Sequence, residues 1–138
     1  MLKNIPKNLS PELVKVLMEM GHGDEIVLAD GNYPAASNAK KLIRCDGLAM
    51  PQLLKSILEL FPLDQYVEQP VALMAVAEGD ENKTAIWEEY KALIDQGVSI
   101  GTIERQAFYE RGKQAYAIVA TGEEAIYANI LLKKGVVK

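Results

Sequence analysis

Apolar positions along this chain alternate between helical spacing and short unbroken runs. Leu13, Val16, Leu17 and Met20 repeat at helical spacing. Ser10-Pro11-Glu12 ahead of them supplies an N-cap, a proline at the first helical position and an acid in the first turn. Gly21 stands where a glycine ending a helix in the left-handed conformation belongs. Ile26-Val27-Leu28-Ala29 is a run of the kind buried on both faces of a parallel sheet. It closes at Asp30, and Asp30-Gly31-Asn32-Tyr33-Pro34 reads as a loop. Leu42-Ile43 predicts a short strand. Pro51 opens a second helix whose Leu54, Ile57, Leu58 and Phe61 share a face before Pro62 stops it.

Val71 to Ala77 is the clearest central strand, ended by Glu78-Gly79-Asp80. A third helix is expected from about Thr84 to Ile94, with Gly97 beyond it. Ser99–Ile103 and Tyr116–Ala120 read as strands, Phe108–Gly112 as a helical turn, and Tyr127 to Leu132 as the closing apolar segment. Strands interleaved with helices of this length predict an α/β fold: one domain over residues 1–138, a three-layer sandwich around a mostly parallel sheet. Ligands of such sheets collect at the carboxyl ends of the strands, which directs attention to Asp30 and to Glu78-Gly79-Asp80.

Composition narrows the function classes. With 138 residues, 49% hydrophobic and 25% charged, the chain is an ordinary globular domain. Its net charge of −4 argues against a nucleic-acid partner, which selects for a basic footprint. The single cysteine, Cys45, excludes an internal disulfide and reads as a buried small side chain. One histidine and one cysteine give no metal-ligand spacing, so no metal is expected. No stretch reaches membrane-spanning length, and the start of the chain lacks an export signal's apolar region. A cytoplasmic protein is expected.

The only histidine, His22, lies in Met20-Gly21-His22-Gly23-Asp24-Glu25, at a joint between helix and strand. Histidine is the side chain that gives and takes protons near neutrality. Asp24, two residues on, is the candidate to orient it. The alternative is a histidine that merely caps a helix end. Gly21-x-Gly23 is no phosphate cradle, because the order here is helix, loop, strand rather than strand, loop, helix. No Gly-x-Ser-x-Gly elbow marks a serine hydrolase.

A scattered polar set remains: His22, Asp30, Arg105, Tyr109, Tyr127 and Asn129. Each has an ordinary alternative: an Asx-turn for Asp30, a solvated surface charge for Arg105, a core edge for the tyrosines, a backbone partner for Asn129. Together they supply what a polyhydroxylated ligand requires: a carboxylate, an amide, a guanidinium fork, an aromatic face and one titratable group.

These residues fall in segments that resemble the ribose pyranase/fucose mutarotase family, on its fucose side. The segments are Leu9–Leu13, Glu19–Ile26, Asp30–Pro34, Ile43–Leu48, Ala77–Asp80, Ala107–Arg111, Thr121–Glu123 and Tyr127–Val136, in order along nearly the whole chain. The resemblance implies a sugar-anomer converting isomerase without metal or cofactor. It implies His22 as proton donor and Asp30, Arg105, Tyr127, Ala128 (through its backbone) and Asn129 as sugar-binding residues, beside which the residues themselves offer Asp24 and Tyr109 in support. It also implies L-fucose as the sugar ligand, no membrane partner, and a homo-oligomer, a decameric ring whose sites are completed by neighbouring subunits. Ala128 matches the ribose-type form of its turn. Because fucose is a 6-deoxy sugar, its site needs an apolar wall, for which Tyr33 or Tyr127 is the candidate.

The chemistry suits the residues independently of any likeness. Anomer exchange needs a proton at the ring oxygen and removal of one from the anomeric hydroxyl, which one well-placed acid-base group assists. Two competing functions remain open: a sugar-binding accessory of uptake without turnover, and a ribose pyranase. An aldose isomerase, which moves a carbon-bound proton, is a third.

Overall fold

The computed structural model describes residues 1–138. Six strands form one sheet: β1 (Glu25–Ala29), β2 (Leu42–Cys45), β3 (Val71–Met74), β4 (Ile100–Ile103), β5 (Ala117–Thr121) and β6 (Ile130–Lys133). Their spatial order is β2-β5-β1-β6-β3-β4. The pairs β1–β5, β2–β5 and β3–β4 are parallel, while β6 runs antiparallel between β1 and β3. The carboxyl ends of five strands therefore share one end of the sheet with the start of β6. Their amino ends share the other with the end of β6.

The helices are α1 (Pro11–Glu19), α2 (Ala35–Asn38), α3 (Met50–Leu58), α4 (Ala85–Leu93) and α5 (Arg105–Gln114). Leu13, Leu17, Leu53, Ile57 and Tyr90 from α1, α3 and α4 pack with Ile26, Leu28, Leu73 and Val119 on one face. Phe108 of α5 and Tyr33 pack with Val27, Ala72, Ile118 and Leu131 on the other. Successive residues of β1 thus serve opposite faces, the two-residue repeat that makes a doubly covered strand apolar throughout. The three-layer α/β sandwich with a mostly parallel sheet is the architecture the hydrophobic pattern predicts.

Local differences have identifiable causes. Ser10 Oγ accepts the Leu13 N–H at 3.1 Å, so α1 begins as expected. It ends without a left-handed glycine: Met20 turns extended (φ −65°, ψ 136°) and buries its side chain. The left-handed residue is Gly23, at φ +89°. α5 is a full helix rather than a turn. Only Phe108 and Gly112 of its ten residues are buried, so its apolar repeat is faint. The four-residue α2 is too short to carry a periodicity. β3 stops at Met74, three residues before the apolar run does.

Candidate functional site

At the carboxyl end of the sheet, Asp30 follows β1 directly and is buried. Its backbone N–H donates to Asn129 Oδ1 at 2.8 Å, and its Oδ1 accepts the Asn32 N–H at 3.0 Å. The Asx-turn and the backbone role of Asn129 are thus both real. Both leave capacity over: an ionised carboxylate has about four acceptor positions, and the Asn129 amide keeps its two N–H donors. Burial pushes the Asp30 carboxyl above its ordinary range, against the pull of the Asn32, Tyr33 and Ala128 N–H groups and of Asn129.

Residues 127–129 reach Asp30 because β6 pairs antiparallel with β1, with Ile130 opposite Leu28. Ala128 is buried, and its carbonyl accepts from Tyr90 Oη at 2.6 Å. Burial drives the Tyr90 phenol well above its ordinary range, so it serves as a fixed donor. Tyr127 sits in the left-handed region at φ 59°, which a non-glycine residue occupies at a cost. Its carbonyl accepts from Trp87 Nε1 at 2.8 Å, and its hydroxyl donates to Asp80 Oδ2 at 2.6 Å.

Arg105 opens α5, just past the end of β4, and is exposed. Arg44 and Arg111 are paired with Asp46 and Glu25, whereas Arg105 makes no ion pair. Tyr109, one turn along α5, lies edge-on to Tyr33 with ring centroids 5.3 Å apart. Tyr33 is buried, with its hydroxyl over Gly112 and without a hydrogen-bond partner, and burial beside Tyr109 pushes its phenol up to about 12. In this position Tyr33 belongs to the second core.

His22 lies at the other end. Gly23 N–H donates to Lys134 O at 2.8 Å and Lys134 N–H to Asp24 O at 2.8 Å, which ties the histidine loop to the end of β6. From Glu25 to Asp30 is five residues, roughly 16 Å of strand. Within one chain the fold does not bring His22 to the other candidates.

The partner of His22 is Asp64, which sequence spacing did not reveal. Residues 62–64 lie along the other side of the chain leaving β6: Leu63 bridges to Lys134, and Asp64 N–H donates to Lys133 O at 3.0 Å. Asp64 is buried, and His22 Nε2 lies 3.0 Å from its Oδ1. The Tyr66 N–H, and then His22, hold the Asp64 carboxyl below its usual range. A carboxylate only accepts, so Nε2 carries the proton and Nδ1 is the free nitrogen. The His22 side chain is 46% exposed. Asp24 instead accepts from Gly21 N–H at 2.7 Å, shaping the loop rather than orienting the ring. The signal for Asp64 is a buried acid in Pro62-Leu63-Asp64, visible only once the sheet register is known.

The two ends thus divide the work. One presents acceptors, donors and an unpaired cation suited to sugar hydroxyls. The other presents an exposed imidazole nitrogen backed by a buried carboxylate.

Residues 3–137 match the RbsD / FucU transport protein family. A fucose mutarotase of Mus musculus is 52% identical over 143 residues, covering 97% of this chain and 94% of its own. The crystal structure of the fucose mutarotase in complex with L-fucose from Streptococcus pneumoniae superposes with a TM-score of 0.94. Its identity is 58%, over 99% of this chain and all of that one. The structure of Bacillus subtilis RbsD complexed with D-ribose is similar at 27% identity and a TM-score of 0.80, over the full length of both chains.

Proposed function

This chain belongs to the RbsD/FucU family, and we propose that it is an isomerase interconverting the α and β anomers of free L-fucose. The observation that carries this reading is the identity, across nearly the whole chain, to a fucose mutarotase whose structure holds L-fucose.

Asp30 accepts from sugar hydroxyls, the Asn129 amide and the Arg105 guanidinium donate to others, Ala128 contributes its backbone, and Tyr127 lines the site. His22, protonated on both ring nitrogens, delivers its Nδ1 proton to the ring oxygen, the anomeric hydroxyl releases its proton to water, and solvent returns a proton to Nδ1. The C1–O bond to the ring opens, a C1 aldehyde forms and rotates about C1–C2, and the ring oxygen re-adds to either face. Protons and electrons balance without a metal, a cofactor or a redox partner. Asp64 accepts from Nε2 and so fixes the ring with Nδ1 left for the sugar.

Because His22 precedes β1 and Asp30 follows it, with roughly 16 Å of strand between them, the working site takes its histidine from a second copy. Exposed apolar groups occur at both ends: Tyr66 beside His22, and Ile126 beside Tyr127. Joining two different patches is a heterologous contact, which closes into a ring where the rotation between copies closes. We infer a homo-oligomeric ring, a decamer as in the resemblance. A reducing, cytoplasmic setting suits its one unpaired cysteine.

Saturation-transfer proton NMR on the anomeric signals of L-fucose tests the reaction directly. Transfer between α and β resonances, accelerated by the protein and faster than for D-ribose, is expected. Binding without acceleration would make the chain a sugar-binding accessory, and faster exchange of D-ribose would make it a pyranase.

A further inference from the structure

We infer that Asp80 is a positioning residue that fixes Tyr127 in its strained conformation and leaves the Tyr127 hydroxyl able only to accept a hydrogen bond from the sugar. The inference rests on the reading of Tyr127 as part of the sugar site.

Tyr127 is held at three points by the segment that follows β3. Its single hydroxyl proton goes to Asp80 Oδ2 at 2.6 Å, the length of a charge-assisted bond. The Tyr127 phenol oxygen accepts the Ala77 N–H at 3.2 Å, and Trp87 of α4 donates its indole N–H to the Tyr127 carbonyl at 2.8 Å. A phenolic oxygen has one proton and two lone pairs. With the proton committed to Asp80 and one lone pair to Ala77, a single acceptor position is left. The wall of the site therefore has a polarity: it takes a hydroxyl that donates and does not serve an acceptor. Ala77-Glu78-Gly79-Asp80 thereby acquires a role that contact with the sugar does not require. The Asp80 carboxyl is drawn below its usual range by Tyr127 first and the Asn82 N–H second, so the acceptor is ionised at working pH.

The test uses Asp80→Asn, Tyr127→Phe and the double variant of the full chain. It also uses the three monodeoxyfluoro L-fucoses, in which a fluorine accepts weakly and cannot donate. At one ring position the fluorine is expected to slow exchange about tenfold more in the parent protein than in Tyr127→Phe, the scale of one hydrogen bond to a polar site, and at the other two positions equally in both. An asparagine in place of Asp80 can turn its amide N–H toward the phenol and free the phenol's proton. Asp80→Asn should therefore erase that discrimination, as Tyr127→Phe does, and the double variant should be no worse than Tyr127→Phe alone.

The chain has one tryptophan, so a single indole N–H signal in a proton–nitrogen spectrum reports whether Tyr127 is held. That signal should stay in place in Asp80→Asn and move in Asp80→Ala. Discrimination retained in Asp80→Asn, losses that multiply in the double variant, or an indole signal indifferent to Asp80→Ala would each overturn the inference. If Tyr127→Phe leaves every sugar's exchange unchanged, it is the placing of Tyr127 in the site that fails. The indole signal then still decides whether Asp80 holds Tyr127.

Discussion

Each end of the sheet holds one buried carboxylate, and the two are prepared in opposite senses. Asp30 is pushed up by burial, with its N–H contacts only partly offsetting that, and it retains unused acceptor positions. Asp64 is pulled down by the Tyr66 N–H and by His22, with its Oδ1 accepting from both. An acceptor with capacity left over suits a neutral polyol, whose hydroxyls complete its shell. A carboxylate already satisfied by the protein suits a fixed task, orienting an imidazole. On the proposed reading, this difference separates binding from proton transfer between the two ends of the sheet.

The largest expected effect comes from removing the proton carrier. His22→Gln should lower anomer exchange of L-fucose by at least about a hundredfold, the low end of the 10²–10⁴-fold that one acid-base group typically contributes. Asp30→Asn should do the same by loss of binding. Mixing the two inactive variants as unfolded chains and refolding them together should restore about a quarter of the activity, by random pairing around a heterologous ring. No recovery in rings that demonstrably contain both variants would place His22 and Asp30 in the same copy's site and break the comparison.

A smaller effect is expected at Gly135. A Cβ there would lie 2.6 Å from Leu63 O and 2.7 Å from Asp64 Cα, so backbone must move. Gly135→Ala should cost about 1–3 kcal/mol, as overpacking does. It should also lower exchange more than fucose binding, because it displaces Asp64 from His22. Gly97 has nothing within 4 Å of its Cβ position, so Gly97→Ala is the matched control. Denaturant unfolding together with NMR exchange measures both, and equal behaviour of the two variants would separate Asp64 from catalysis.

The fold was largely legible because its signals are local. The Ser10-Pro11 start of α1, the doubly apolar runs of β1 and β3, and the Pro51 start of α3 are read from neighbours in sequence, although α3 ends at Leu58, short of Pro62. The reversed direction of β6 is not, since Ile130–Lys133 looks like any other buried strand and its orientation depends on which strands it lies between. The carboxyl-end residues were legible because they follow strands. Asp64 was not, because it is 42 residues from His22 and meets it only through the bridge from Leu63 to Lys134. Gly21 was misjudged for a related reason: burial of Met20 takes the chain out of the helix extended, and the left-handed turn falls at Gly23.

The smallest effect is the most direct measure of the contrast between the two carboxylates. Asp64 has its folded pKa below the unfolded value. Its carboxylate therefore stabilises the fold above the unfolded pKa, and that contribution is lost as pH falls through the folded one. Asp30 has its folded pKa above the unfolded value, so its contribution is present below the unfolded pKa and lost as pH rises through the folded one. Asparagine removes the titration at either position. Relative to the parent protein, Asp64→Asn should thus become more destabilising as pH rises, and Asp30→Asn less so, between about pH 3 and 7. Thermal melts of the three proteins across that range give two difference curves of opposite slope. Curves of the same sign would mean that the two carboxylates are held alike, and that the division between a binding end and a proton-transfer end lies in the residues around them rather than in the acids themselves.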